Sequence, residues 1–158
     1  MHHILDIQGL SVRFGNTHAV NQISLKLPPG KTLGIVGESG SGKSVTALSI
    51  MRLLPPEAVS SGKILFQPDP GAAPLNLLGL SEQELTRVRG IIISMVFQEP
   101  MTSLNPVFRC GVQVTAAIQH HKNTGYREAR SEVMHLFEQV KLPDPERIFN
   151  AYPHQISG

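Results

Sequence analysis

The 158-residue sequence predicts an α/β chain in which a sheet-rich first part, with antiparallel strands, is followed by a helical part. Three observations predict it. Apolar and polar residues alternate along Leu10–Phe14 and along Ile23–Leu27, the period of half-buried strands. An apolar, β-branched run and a run with helical spacing flank the segment Gly37-Glu38-Ser39-Gly40-Ser41-Gly42-Lys43-Ser44. After Pro106, strand signals thin out and helix formers dominate. The length suffices for one domain with a core, and 41% apolar against 16% charged residues places the chain among globular proteins.

The elements follow in order. Leu10, Val12 and Phe14 define one strand, and Ile23, Leu25 and Leu27 a second. Gly15-Asn16-Thr17-His18 lies near the turn between them, so they are expected to pair antiparallel, and Pro28-Pro29-Gly30 ends the second. Thr32-Leu33-Gly34-Ile35-Val36 reads as a buried strand, and Val45 to Leu54 as a helix stopped by Pro55-Pro56. Gly62–Phe66 reads as a further outer strand, and the Pro/Gly-rich residues 67–74 as loop. Ser81-Glu82-Gln83-Glu84 is a capping box that opens a short helix to about Arg89. Ile91–Phe97 is apolar enough for a central strand. Helices are expected over roughly 107–120 and 127–140, the second with Val133, Leu136, Phe137 and Val140 on one face. Pro143 and Pro145 then interrupt, and a short turn runs to Ala151. The expected division is a core over 1–104 and a helical subdomain over 105–158.

Gly-(four residues)-Gly-Lys-Ser is the pattern of a phosphate-binding loop. Backbone N–H groups surround a polyanion only where the chain bends tightly, and Gly37, Gly40 and Gly42 permit that bend. Lys43 is placed to meet β- and γ-phosphates as a point charge, and the Ser44 hydroxyl to ligate Mg²⁺. The helix that the loop opens adds its own N-terminal donors. The competing reading is a Gly/Ser-rich surface turn. The strand–loop–helix context weighs against it.

Several classes have no support. The net charge is only +2, no long basic run occurs and aromatics are 5%, so a nucleic-acid partner is not expected. No apolar stretch approaches the ~20 residues of a membrane-spanning helix, and Met1 to Asp6 does not read as a signal peptide. Cys110, the single cysteine, forms neither an internal disulfide nor a cysteine metal cluster, and reads as a small buried thiol in a reducing, cytosolic setting. His120 and His121 are adjacent on a helix and do not face each other, so they do not make a metal pair.

Two further motifs occur: Val96-Phe97-Gln98-Glu99-Pro100-Met101-Thr102-Ser103-Leu104-Asn105-Pro106, and Tyr152-Pro153-His154-Gln155-Ile156-Ser157-Gly158. With the phosphate loop, they resemble the ATP-binding subunits of ABC transporters, most of all the oligopeptide/dipeptide importer group, and the resemblance covers the whole chain in order. It implies a P-loop NTPase (RecA-like) core with an antiparallel β subdomain and a helical subdomain, C-terminally incomplete. The implied activity is ATP binding, with hydrolysis in a full-length dimer that drives import of peptides or similar solutes.

The resemblance also implies residue roles. Gly37, Ser39, Gly40, Ser41, Gly42, Lys43, Ser44 and Val45 contact the nucleotide, and Phe14 stacks on adenine; its alternative is a strand residue facing the core. Gln98 ligates Mg²⁺ with Ser44 and orients the attacking water, and the alternative is a loop amide without a partner. Lys43 and Gln98 are the catalytic candidates. Ser157 and Gly158 begin the family's signature and reach ATP held by a second subunit, homologous or identical, arranged head to tail. The Met101–Pro106 region docks on an integral membrane permease at the cytoplasmic face of the cell (inner) membrane, or else Met101 and Leu104 pack under the helical part. The acidic strand end, catalytic glutamate and switch histidine of the family do not occur among these residues, so little turnover is expected of them alone. Three alternatives stay open: an ABC-type ATPase outside transport, a P-loop small-molecule kinase and a nucleotide-binding module without catalysis.

Overall fold

The structure, a computed structural model, describes residues 2–98 and 103–156. It falls into two units, Met1–Met95 and Val96–Gly158, each with its own apolar cluster.

In the first unit, β1 (Leu5–Phe14) and β2 (Thr17–Leu27) pair antiparallel across a two-residue turn that sets Phe14 opposite Thr17. The predicted alternation is there: Leu10 and Val12 are buried while Arg13 is exposed. Ile7 is also buried, three residues from Leu10, because a bulge between them restores the face. Serine hydroxyls hold this irregular stretch, with Gly9 N–H donating to Ser24 Oγ and Gln22 N–H to Ser11 Oγ, both at 2.9 Å. β3 (Ala58–Phe66) pairs antiparallel with the other edge of β1 and begins earlier than Gly62. The short β4 (Leu75–Asn76) completes the order β2-β1-β3-β4. Ile7, Leu10, Val12, Ile64 and Phe66 face Leu77 and Val88 in one cluster.

Helix α1 (Lys43–Ile50) starts directly after the glycine loop and ends before the predicted Leu54, where Arg52 takes a left-handed φ of 48°. Helix α2 (Glu82–Val88) carries the predicted box: Glu84 N–H donates to Ser81 Oγ at 3.3 Å, and Ser81 N–H to the Glu84 carboxylate at 2.8 Å. Hydrogen bonds from the Ser81 side chain and backbone hold Glu84 below the ordinary carboxylate value.

Two strand expectations are corrected. Residues 32–36 form no strand, and Leu33, Ile35 and Val36 are exposed rather than buried. Residues 91–97 form a turn and an irregular stretch instead, held by an isolated bridge between Arg89 and Ile93, by bonds from Ile92 and Ile93 N–H to the Val88 carbonyl at 3.0 Å, and by Ile93 packing on the sheet's cluster. Ile91, Ile92, Val96 and Phe97 are exposed. The reason is physical: a parallel strand buries its side chains only between ladder neighbours and covering helices. Among the described residues, neither segment has such a neighbour. Surfaces of this kind associate, so light scattering on the purified chain is expected to show species larger than a monomer. A monodisperse monomer would contradict that expectation.

The second unit holds α3 (Cys110–Lys122), α4 (Tyr126–Gln139) and α5 (Pro145–Asn150). The buried face of α4 is Ala129, Val133 and Phe137, at a spacing of four. Leu136 and Val140, expected on that face, lie partly or largely exposed on its flank. The expected turn before Ala151 is helix α5, capped by Asp144, whose carboxylate accepts from Arg147 N–H at 3.2 Å, with Pro145 at its first position. Cys110 is buried in this unit, and desolvation raises its thiol pKa.

Helix α3 meets α5 through Gly111. A Cβ there would run into the Phe149 ring, which also carries the Arg130 guanidinium 4.9 Å from its centroid. Gly111→Ala is therefore expected to destabilise the second unit by about 2 kcal/mol, as over-packing does. Thermal denaturation checks this, and an unchanged Tm would show that Phe149 moves aside freely.

Candidate functional site

The site builds from the point where β2 passes under the start of α1. Gly42, the N-cap, has φ 87°, and Gly40 has φ 80°, both left-handed. Space confines Gly42 as well: a Cβ there would lie 2.5 Å from the Ala19 carbonyl oxygen and 3.1 Å from Val20 Cγ2. The loop thus rests on the β2 backbone with no room for a side chain. Its last carbonyl enters the helix, since Gly42 O accepts from Thr46 N–H at 2.8 Å and from the buried Thr46 hydroxyl at 2.9 Å.

Lys43 turns back over the loop. Its ammonium donates to the carbonyls of Gly37 at 2.7 Å and Glu38 at 2.6 Å, and to Ser41 Oγ at 3.2 Å. A turn hydrogen bond from Ser41 N–H to Glu38 O tightens the same ring of atoms. One cation therefore gathers the loop around itself. Beside it, Ala19, Gly40, Ser41, Gly42, Lys43, Ser44 and Val45 line a cavity of ≈ 200 Å³. No carboxylate lines it, its one formal charge is positive, and the start of α1 adds a partial positive charge. A phosphate group fits this chemistry. Ser44 is exposed at the mouth, with a hydroxyl able to join a cation that accompanies the phosphates.

The first unit thus brings Gly40, Ser41, Gly42, Lys43, Ser44 and Val45 together. Gly37 takes part through its carbonyl, while Ser39 is exposed in the loop and outside the cavity lining. Phe14, at the end of β1, is half-buried and packs against the sheet's apolar cluster. Gln98 is an exposed residue at a bend near the start of the second unit. Met101, Ser157 and Gly158 lie outside the described residues. Leu104 is half-buried, and Val107 and Phe108 after it are exposed. The sequence reading missed Ala19 as part of the site. Its contact with Gly42 joins residues distant in the chain, and an alanine in a strand carries no local sign of it.

A family model described as ABC transporter matches residues 20–158. The chain belongs to the ABC transporter family. Its fold class is accordingly the P-loop NTPase one, with the antiparallel sheet and helices described above. This ABC chain is 44% identical over 161 residues to a putative peptide import ATP-binding protein of Brucella ovis. It is 42% identical over 161 residues to a probable D,D-dipeptide transport ATP-binding protein of Escherichia coli. It is also 43% identical over 164 residues to a glutathione import ATP-binding protein of Salmonella typhimurium. Each alignment covers 98% of this chain, but 47% of the first two relatives and 26% of the third. The ABC chain spans about a quarter to a half of the length of these relatives. Among its described residues, no helix is long and apolar enough to cross a membrane.

Proposed function

We propose that this chain is the nucleotide-binding part of an energy-coupling subunit of an ABC importer for peptides or similar small solutes. The observation that carries the reading is the glycine loop gathered around the Lys43 ammonium at the start of α1. The resemblance to import and transport ATP-binding proteins for peptides, D,D-dipeptides and glutathione supports the substrate class.

In this reading the loop N–H groups and Lys43 hold the β- and γ-phosphates of ATP. Ser44 and Gln98 hold Mg²⁺, which supplies charge neutralisation on the phosphate oxygens when bound. Phe14 offers a π-face to adenine. Gln98 also orients the attacking water. Hydrolysis belongs to the whole protein, in a head-to-tail dimer where Ser157 and Gly158 of one subunit approach the γ-phosphate on the other. The Met101–Pro106 region meets the permease at the cytoplasmic face of the cell membrane. Dimer closure on ATP and opening after hydrolysis then bias the permease between its two states, because nucleotide binds the closed form better.

The test is a titration of the purified chain with MgATP beside a turnover assay. Saturable binding that needs Mg²⁺, with little turnover from the chain alone, is expected. Binding with no preference for ATP over adenosine would remove the phosphate loop from the reading. Co-purification of the full-length protein with a two-subunit permease separates the importer from an ABC ATPase outside transport.

A further inference from the structure

The far end of α1 is held by a side chain from outside the helix. Arg89, just after α2, donates from Nε to the Met51 carbonyl and from Nη2 to the Arg52 carbonyl, each at 2.8 Å. Its Nη1 lies 3.2 Å from the Glu82 carboxylate, which also meets Arg52 at 3.0 Å. Met51 is the C-cap of α1, and the last turn of α1 has no basic residue of its own. The carbonyl end of a helix favours a cation, and here that cation arrives from 38 positions along the chain. The guanidinium fork suits the task, because its rigid plane serves two carbonyls and a carboxylate at once. Its side chain is only 25% exposed, so solvent screens these bonds less than it would on an open surface.

The geometry fixes α1 at both ends. Gly42 sits against the Ala19 carbonyl at one end, and Arg89 grips Met51 and Arg52 at the other, about 12 Å away along eight residues. Lys43 and Ser44 stand on the first turn. Releasing the far end lets α1 pivot on Gly42 and carries both side chains off their places over the loop. We infer that Arg89 is a positioning residue for nucleotide binding, acting through the direction of α1 on Lys43 and Ser44. This rests on the MgATP reading above.

A double-mutant cycle on the 158-residue chain tests it, with affinities for MgATP and for AMP read by displacement of a fluorescent ATP derivative. Arg89→Ala is expected to weaken MgATP binding about fivefold, within the range of residues coupled in one network, and to leave AMP unchanged. Arg89→Lys recovers part of the loss. In a Lys43→Ala background, Arg89→Ala costs clearly less, leaving only the share that passes through Ser44. Sites this far apart that merely stabilise the fold would add independently. Additive losses, or equal losses for MgATP and AMP, would overturn the inference while leaving the nucleotide reading intact. Absence of Lys43-dependent MgATP binding in the unmodified chain would overturn both. Should Arg89→Ala fail to fold, Arg89→Lys carries the same cycle, with a smaller loss that must also shrink in the Lys43→Ala background.

Discussion

Replacing Lys43 by alanine is expected to weaken MgATP binding about 10- to 100-fold, from the ~1.5–3 kcal/mol of a hydrogen bond to a charged group. The cause has two parts. The ammonium is the one formal charge lining the cavity, so phosphates lose their counter-charge. It also bridges Gly37 O, Glu38 O and Ser41 Oγ, so the loop loses the group that gathers it. Lys43 takes no part in the apolar cluster beneath the sheet, so the Tm of the ligand-free chain should barely move. Equilibrium titration with MgATP checks the first effect, and a melting curve without nucleotide the second. An affinity within twofold of the unmodified chain would mean that the loop does not serve phosphate.

Gly42→Ala is expected to be at least as damaging, by a different route. The left-handed φ of 87° costs an alanine about 1–2 kcal/mol. The added Cβ would lie 2.5 Å from the Ala19 carbonyl oxygen, a backbone atom with no rotamer to change. Either β2 or the loop must shift, and the donors offered to phosphate shift with it, so MgATP affinity is expected to fall about 10- to 100-fold as those charged hydrogen bonds are lost. Here binding and stability fall together, which separates this variant from Lys43→Ala. Paired titration and thermal denaturation read the difference. Unchanged values in both would show that the loop does not rest on β2 in solution.

What the sequence makes legible follows the range of the interactions involved. The β1–β2 hairpin shows in its alternation because each pairing is settled within a few residues. The capping box at Ser81 is likewise local, as is the loop that opens α1. Helix α5 also has a local cause, an Asp144 N-cap before Pro145 at the first position, but prolines on either side of Asp144 read as breakers of a helix. The segments 32–36 and 91–97 failed for the opposite reason. Their apolar content states a preference for burial without naming a partner, and among the described residues only Ile93 of these segments packs against an apolar cluster. In the site, the loop glycines and Lys43 could be named from spacing alone. Ala19 beneath Gly42 and Arg89 behind Met51 could not, since strand register and helix direction create those contacts.

An ammonium has three N–H donors, and all three of Lys43's are already committed within its own loop. A ligand therefore competes with the protein for this cation. To win a donor, it must repay a carbonyl left without its partner. A phosphate dianion at the end of a triphosphate brings enough charge to do so, and a neutral hydroxyl or an amide does not. In the proposed MgATP reading the loop would therefore act as a threshold, yielding to concentrated negative charge before it yields to weakly polar solutes.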